Sequence, residues 1–361
     1  MFRFDFQADG AVRDPAPDEL QKPFDAVLRG DEDPVAARVH AEPFAEVPLE
    51  RLVGNLPPSL LIETVRLAGG GVLLKRHMAD VKFQVAAEDD LDDAASAVAG
   101  RAGPSAVRAA AAISESSDLV PGVYEGGLKT WECSVDLAGH LASRVCGPDL
   151  EGKRVLELGC GSALPSACVL RRCPALSALH VQDYNEDVLA LVTLPNLIVN
   201  CPEFGAERAA GAGSGSGRDE CRVVALEGDA AEDPGTAAEA DGEGKTLPPS
   251  QLYDLVLTSE TVYSPASVSR LCRALRACLR PPAFPEDAGG IALVAAKTFY
   301  FGVGGGTRAF CEEIERERAG AEERTEWDDA FVLRAESVWD TKASGGVRRE
   351  IIKVAFATRP K

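Results

Sequence analysis

The stretch from Val155 to Ala163, with the sequence VLELGCGSA, limits the possible folds of this chain more than any other. Its first four residues are mostly apolar and predict a short buried strand that ends at Gly159. Gly159 and Gly161 permit backbone angles and close approaches that a Cβ atom would block. The apolar segment from Ser166 to Arg172 predicts a helix. A strand, a glycine turn and a helix in this order place backbone N–H groups at the tip of a sheet, where ligands of open α/β sheets bind.

Two other interpretations of this turn stay open. A Gly-x-Gly turn after a strand can be a purely structural connection between strand and helix. The turn can also be compared with the dinucleotide-binding fingerprint, which requires Gly or Ala three positions after the second glycine. The chain has Leu164 at that position, which weakens the dinucleotide interpretation.

Strand and helix patterns alternate along the rest of the chain. The predicted strands lie at 155–158, 178–185, 221–226, 252–258 and 290–296, with a closing pair at 331–339 and 350–358. We therefore predict an α/β fold with a doubly wound, mainly parallel seven-stranded sheet, a C-terminal antiparallel strand and an irregular N-terminal extension. Right-handed crossovers would bring the ends of the parallel strands to one carboxyl edge.

Three regions of the chain differ in composition. Residues 1–85 are predicted to form an N-terminal extension without a core of its own, with a short helix at 60–65 and a strand at 81–85. Residues 86–117, rich in Ala, Asp and Ser, are predicted to be a disordered linker. Residues 118–361 are predicted to form the main domain, and we expect a chain without residues 1–85 to keep its ligand site.

The charge balance argues against one class of partner. The 361 residues include 57 Asp and Glu against 38 Lys and Arg, which gives a net charge of −19. We therefore expect no direct nucleic-acid binding, because such binding depends on cationic contacts to phosphates. An acidic surface would suit a basic protein partner, although it also serves solubility alone.

The ten cysteines are scattered singly and the chain has only four histidines. This spacing gives no metal-ligand pattern, so no metal site is predicted, and free thiols are typical of a reducing compartment. The first ten residues are too acidic for a signal peptide, and no apolar run reaches the ~18–20 residues of a membrane span. We expect a cytoplasmic or nuclear protein that is not attached to a membrane.

An acidic residue at the end of the second predicted strand is the other candidate ligand contact. Asp183 follows Gly159 by 24 positions. Nucleotide-binding sheets place a carboxylate about 20 residues after the glycine turn, where it holds ribose hydroxyls. The alternative is that Asp183 caps the helix that follows it.

Five stretches together resemble a known family. VLELGCGSA resembles motif I of the seven-stranded S-adenosylmethionine-dependent methyltransferases, with Ala163 in place of the usual third glycine. The other stretches are PGVYEGGLKTWEC at 121–133, QDYN at 182–185 with VTLPN at 192–196, LTSETVY at 257–263 and KTFYFGVGGG at 297–306. With motif I they resemble the eukaryotic protein-histidine N-methyltransferase family, which modifies a large-subunit ribosomal protein. The resemblance covers roughly residues 118–358, which would make 118–361 a methyltransferase domain.

The resemblance implies S-adenosyl-L-methionine as cofactor and a set of residues that hold it. The segment before motif I would line the cofactor, the motif would hold its methionine part, and the ends of the next strands would hold its ribose, adenine and sulfonium. In chain order the implied cofactor-binding residues are Thr130, Trp131, Glu132, Cys133, Ser134, Glu157, Gly159, Gly161, Asp183, Tyr184, Glu227, Gly228, Asp229 and Ser259.

Methyl transfer to histidine needs positioning and exclusion of water more than a strong base. A neutral imidazole already has a nucleophilic lone pair, so the enzyme needs an acceptor that fixes the tautomer and receives the other N–H. We predict Glu260 and Tyr263 as the catalytic residues in this role, with a structural role behind the site as the alternative. Glu125 and the aromatic residues at 299–301 are candidates for a peptide channel, with loop and core packing as the alternative.

Two alternative functions stay open from the sequence. A protein-lysine methyltransferase would share motif I and the segment before it, although the GVGGG and YEGG stretches favour histidine. A non-catalytic module that binds a ribosomal protein would not require the intact set of Glu157, Gly159, Gly161 and Asp183. For the oligomeric state, a monomer is favoured.

Overall fold

A sheet of eight strands forms the centre of the fold. The computed structural model describes residues 45–54, 56–82, 84, 126–144, 147–173, 175–202, 222–227, 252–284, 287–323, 331–341 and 346–358. The strands are β1 (Ala45–Val47), β2 (Ile62–Arg66), β3 (Val72–Arg76), β4 (Arg154–Leu158), β5 (Ala178–Asp183), β6 (Arg222–Glu227), β7 (Leu255–Ser259), β8 (Ile291–Lys297), β9 (Phe331–Asp340) and β10 (Arg349–Thr358). The sheet has the order β1-β6-β5-β4-β7-β8-β10-β9, and β2 and β3 form a separate antiparallel pair.

The five strands in the middle of the sheet are parallel, as predicted. β4 pairs in parallel with β5 and β7, and the outer neighbours β6 and β8 continue this direction. β10 is antiparallel to both β8 and β9. The carboxyl ends of β4, β5, β7 and β8 therefore lie along one edge of the sheet, next to one another.

Helices cover both faces of the sheet. They are α1 (Leu49–Gly54), α2 (Glu132–Arg144), α3 (Leu164–Arg172), α4 (Glu186–Val188, a π-helical turn at Leu189–Thr193, then Leu194–Asn200), α5 (Pro265–Cys278) and α6 (Thr307–Glu323). One core cluster packs α2, α3 and α4 against one face, and another packs α5 and α6 against the opposite face. Side chains of β4 alternate between them, because Val155 belongs to the first cluster and Leu156 to the second.

The N-terminal part of the chain is more regular than the sequence predicted. β1 adds an eighth, antiparallel strand next to β6, with Ala45 opposite Glu227. The predicted helix at 60–65 is wrong, because β2 begins at Ile62 and pairs with β3. Its sequence IETVR holds three β-branched residues, which favour a strand. The predicted strand at 81–85 is also wrong, since residues 78–82 are helical.

These N-terminal elements pack onto the main domain. Leu49, Leu52 and Leu73 are all at least 95% buried and belong to the same core cluster as α2, α3 and α4. Their packing argues against the expectation that a chain without residues 1–85 keeps an intact ligand site. The predicted boundaries at 85 and 117 lie outside the described residues and stay predictions.

Within the described part of the chain, no helix combines the length and the apolar composition that crossing a membrane requires.

Candidate active site

A cavity opens at the carboxyl edge of the sheet, around the glycine turn between β4 and α3. Its walls come from the segment before α2, the turn itself, the end of β5 and the segment after β7, and α5 closes one side. Nine of the predicted site residues line it: Trp131, Ser134, Gly159, Gly161, Asp183, Tyr184, Ser259, Glu260 and Tyr263. These nine residues come from positions that lie far apart in the chain, and the fold brings them to one cavity.

Other predicted residues lie elsewhere. Thr130, Glu132, Cys133 and Glu157 do not line the cavity. Gly228 and Asp229 lie outside the described residues, as does Glu125. Glu227 ends β6, and its side chain is not described. The contacts that the resemblance implies for all of these residues stay predictions.

The turn needs both of its glycines. Gly159 has a φ of 58° and Gly161 a φ of 48°, in the left-handed region that favours glycine. A Cβ atom on Gly161 would lie 3.0 Å from the carbonyl oxygen of Gly127. The turn therefore packs directly against the loop before α2, and both line the cavity. Ala163, also left-handed with a φ of 48°, takes the place of the third glycine just before α3.

The end of β5 holds the N–H groups of the turn. The Gly159 N–H donates to Oε1 of Gln182 (3.1 Å), and the Cys160 N–H donates to the Gln182 carbonyl (2.8 Å). The Gly161 N–H donates to Oδ2 of Asp183 (2.9 Å). The other oxygen of this carboxylate, Oδ1, accepts from the Asn185 N–H (3.3 Å) at the start of α4. Asp183 thus lines the cavity and also holds the local backbone as a turn residue, and its contact with a ribose stays a prediction.

Two residues that the sequence analysis did not assign hold the carbonyl groups of the turn. Thr193, in the π-helical turn of α4, donates from its hydroxyl to the Gly161 carbonyl (2.6 Å). Asn196 donates from Nδ2 to the Ser162 carbonyl (2.8 Å). Both side chains are 99% buried. The VTLPN stretch was noticed as part of the family resemblance, and these two contacts give it a physical role.

Glu157 lies behind the turn. Its side chain is fully buried, and Oε2 accepts a hydrogen bond from the Ser166 N–H in the first turn of α3 (2.9 Å). Its Oε1 atom has no hydrogen-bond partner within the described ranges. Burial raises the pKa of this carboxyl group to about 8, and the nearby charge of Asp183 adds to the rise against the lowering effect of Ser166. The structure thus shows Glu157 supporting the start of α3 from below the cavity.

Glu260, directly after β7, is the second carboxylate that lines the cavity, beside Asp183. It has a left-handed backbone with a φ of 60°, and its N–H donates to the Ala295 carbonyl on β8 (2.9 Å). The Tyr300 hydroxyl donates to Oε2 of Glu260, and Nζ of Lys297 lies 3.7 Å from Oε1. Among the residues that the structure describes, none donates a hydrogen bond to the Oε1 atom. A buried carboxylate held in this way can accept a hydrogen bond from a ligand in the cavity.

The negative charge of Glu260 affects the pKa values of two neighbouring side chains, Tyr300 and Cys133. Burial raises the pKa of Tyr300 well above its usual range, and the charge of Glu260 contributes. The same two causes raise the pKa of the buried Cys133 thiol. Both side chains therefore stay protonated at neutral pH. Lys297, which the sequence analysis did not single out as a site residue, also lies over the rings of Trp131 (5.2 Å) and Tyr300 (5.5 Å).

The loop after β8 carries exposed aromatic residues beside this site. Phe299 and Phe301 are 47% and 78% exposed, and their rings meet edge to face with centroids 5.2 Å apart. They do not line the cavity. The loop is joined to the segment after β7, because the Gly305 N–H donates to the Tyr263 carbonyl (3.1 Å). Their predicted role in a peptide channel stays a prediction.

No group of three or more His, Cys, Asp or Glu side chains in the described ranges could hold a metal ion.

Comparisons with known proteins identify relatives of the chain, although no family model matches it. It is 35% identical over 202 residues to the histidine protein methyltransferase 1 homolog of Dictyostelium discoideum, across 56% of this chain and 52% of that protein. It is 32% identical over 269 residues to histidine protein methyltransferase 1 of Schizosaccharomyces pombe, across 70% of this chain and 71% of that protein. The chain spans about half the length of most of the curated relatives it matches.

Among solved structures, the chain shares a distant likeness with the mitomycin 7-O-methyltransferase MmcR. The sequences are 16% identical, the TM-score is 0.34, and the match covers 61% of this chain and 53% of that one.

Proposed function

We propose that this chain, which belongs to the histidine protein methyltransferase 1 family, transfers a methyl group from S-adenosyl-L-methionine to a ring nitrogen of a histidine in a protein substrate. The observation that carries the proposal is the shared cavity. It brings the glycine turn of β4 and the Glu260 carboxylate to one place, and these are the two parts that such a reaction needs.

The glycine turn and the end of β5 would hold the cofactor. Gly161 packs so closely against the Gly127 carbonyl that a side chain would clash there, and Asp183 and Tyr184 line the cavity beside the turn. These residue types suit a ligand with an amino-acid end and a ribose, because backbone groups and a carboxylate can meet both. When bound, S-adenosyl-L-methionine supplies an electrophilic methyl group. The chain's own contribution is to orient this ligand and to exclude water from it.

Glu260 would hold the histidine. A neutral imidazole has one nitrogen with a free lone pair and one that carries a proton. If the N–H points at Oε1 of Glu260, the lone pair of the other nitrogen faces away from the carboxylate. The carboxylate then stabilises the positive charge that develops on the ring and receives the ring proton. Tyr300 fixes the carboxylate in place by donating to Oε2.

The charge around Glu260 favours histidine over lysine as acceptor. The ammonium group of Lys297 already lies 3.7 Å from Oε1 and compensates the carboxylate. A substrate lysine would bring a second ammonium group to the same atom, and the two like charges would repel each other. A neutral imidazole meets no such repulsion.

The substrate that we propose is a large-subunit ribosomal protein, as the family resemblance implies. The net charge of −19 supports a basic partner of this kind by electrostatic complementarity. A substrate of this kind would place the enzyme in the cytoplasm or the nucleus, where ribosomal proteins are made and assembled.

Transfer of a labelled methyl group tests the reaction. The full chain is incubated with methyl-labelled S-adenosyl-L-methionine and large-subunit ribosomal proteins, and the proteins are then hydrolysed to amino acids. We expect the label in methylhistidine. Label in methyllysine would overturn the choice of acceptor, and absence of label from these proteins would overturn the choice of substrate.

A further inference from the structure

We propose that the hairpin of β2 and β3, with the helical residues after it, is a positioning element of the cofactor site. The inference rests on the proposed cofactor, and it concerns residues 62–84, which the sequence placed in a dispensable extension. The path from the hairpin to the glycine turn consists of buried and partly buried hydrogen bonds.

The first link is Asn196, whose side-chain amide joins the hairpin to the turn. Its Nδ2 donates to the Ser162 carbonyl (2.8 Å), and its Oδ1 accepts from the Arg76 N–H at the end of β3 (2.7 Å). Each end of the amide thus meets its proper partner, so the side chain has one favoured orientation. Ser162 lines the cavity. A displacement of the hairpin therefore acts directly on the wall of the site.

The second link is Asn200, one helical turn further along α4. Its Oδ1 accepts from the Leu74 N–H (2.9 Å), and its Nδ2 donates to the Leu74 carbonyl (2.6 Å). The amide thus bonds to both backbone groups of this residue of β3, as a neighbouring strand would. Nδ2 also lies 2.7 Å from the Asn196 carbonyl, to which it donates. These hydrogen bonds fix the position of β3 along the axis of α4.

The third link is the buried guanidinium group of Arg76. The Arg76 side chain is only 1% exposed, a position that is costly for a cation without partners. Nη1 donates to the Leu191 carbonyl in the π-helical turn (2.9 Å), Nε donates to Asp80, and Nη2 donates to Gln84 (2.7 Å). The same π-helical turn contains Thr193, which holds the Gly161 carbonyl. Arg76 therefore supports the second carbonyl contact of the glycine turn as well.

These contacts connect the hairpin to α4, and α4 to the glycine turn. Arg76 reaches α4 in two ways: its backbone N–H donates to Oδ1 of Asn196, and its guanidinium group donates to the Leu191 carbonyl in the π-helical turn. Loss of Arg76 would leave Asp80 and the Leu191 carbonyl without their partner and would free α4 to shift. The Gly161 and Ser162 carbonyls would then lose their fixed positions, and the affinity for the cofactor would fall.

The test measures binding of S-adenosylhomocysteine by calorimetry for the full chain, well below the unfolding temperature. The variants are Arg76→Met and Asn196→Ala. The matched control is Arg280→Met, which removes a partly buried guanidinium group that pairs with Asp254 and Asp287 at the amino ends of the strands. We expect both site-side variants to raise the Kd about tenfold or more, because each leaves buried polar groups unpaired. We expect the control to lose stability and keep its Kd.

A purely structural role predicts a different result. Arg76→Met and Arg280→Met would then both lower the unfolding temperature and leave the Kd of the wild-type chain unchanged, which would overturn the inference. If Arg76→Met does not fold, Asp80→Asn, a milder change on the same guanidinium group, takes its place with the same expected direction. Absence of binding in the wild-type chain would instead overturn the proposed cofactor, and with it this inference, so the two failures are distinguishable.

Discussion

The Gly161 N–H donates a hydrogen bond of 2.9 Å to Oδ2 of Asp183, which joins the glycine turn after β4 to the last residue of β5. Asp183 ends β5 and Gly161 lies in the turn directly after the neighbouring parallel strand β4, so the pairing of these strands brings the two residues close together. Both line the cavity. The shape of the turn therefore depends on the Asp183 carboxylate, which we expect to contact the cofactor. The glycine turn and Asp183 thus form one connected part of the site.

Replacing Gly161 with alanine tests the shape of the turn. The new Cβ atom would lie 3.0 Å from the Gly127 oxygen at a left-handed φ of 48°. We expect Gly161→Ala to weaken binding of S-adenosylhomocysteine at least about tenfold in a calorimetric titration, because the turn must move away from Gly127. The matched control is Gly152→Ala, which has a similar φ of 69° and nothing within 4 Å. Both variants should lose about 1–2 kcal/mol of stability to the left-handed backbone. Equal affinities of the two variants would contradict the assignment of the turn.

The pKa of Glu157, raised to about 8, predicts how stability depends on pH. A carboxyl group with a higher pKa in the folded chain holds its proton more tightly there than in the unfolded chain. Its contribution to stability is therefore full below pH 4.5 and is lost as the pH rises toward 8. Urea unfolding of the cofactor-free chain should show Glu157→Gln gaining stability over the wild type as the pH rises from 5 to about 8. A constant difference across this range would mean that Glu157 is ionised throughout.

Glu260→Gln separates catalysis from cofactor binding. Glutamine keeps the size of the side chain but lacks the carboxylate that we expect to receive the ring proton. The value of kcat for histidine methylation should fall about 10²–10⁴-fold, while the Kd for S-adenosylhomocysteine changes little. A variant that loses cofactor affinity and kcat together would place Glu260 in the cofactor site instead.

Tyr300→Phe tests the support of this carboxylate. Loss of the hydroxyl group leaves Oε2 of Glu260 without the donor that fixes it, and we expect kcat to fall about tenfold. Tyr253→Phe is the matched control, since this buried hydroxyl group contacts Nδ1 of His180 (2.6 Å) and lies before β7, away from the cavity. A loss of kcat of the same size in the control would show that the effect comes from stability alone.

Replacing Leu73 with alanine tests whether the N-terminal hairpin packs as part of the domain. Leu73 is 2% exposed and packs in the core cluster, while its neighbour Val72 on the same strand is 39% exposed. We expect Leu73→Ala to lower the free energy of unfolding by about 2 to 5 kcal/mol. Val72→Ala should change it by about 0.5 kcal/mol or less. Equal small effects in urea unfolding would show that the hairpin is only loosely attached.

The sequence predicted the parts of the fold that have a local signature. β4, β8 and the helix after the glycine turn follow from apolar patterns and from glycine, which act over a few residues. Asp183 was predicted because it ends a strand at a regular distance from the turn. The eighth strand escaped prediction because Ala45–Val47 is only three residues long and is held by its pairing with β6. This strand is stabilised by β6, which lies far from it along the chain.

The site residues that were missed share this non-local origin. Asn196 follows Leu194 and Pro195 in α4, and nothing in its surroundings along the chain indicates that it bonds both to β3 and to the turn. Lys297 ends β8, and its position beside Glu260 depends on the pairing of β7 with β8. Hydrogen bonds between residues that are far apart in sequence leave no periodic pattern, so only the folded structure shows them.

Peptide mass spectrometry of the reaction products tests the central claim most directly. Large-subunit ribosomal proteins are incubated with S-adenosyl-L-methionine and either the wild-type chain or Gly159→Arg, in which the new side chain starts 2.7 Å from Cγ2 of Thr261 and blocks the turn. We predict a single histidine that gains one methyl group with the wild-type chain and none with the variant. Methylation of a lysine, or of the same histidine by both proteins, would contradict the proposed function.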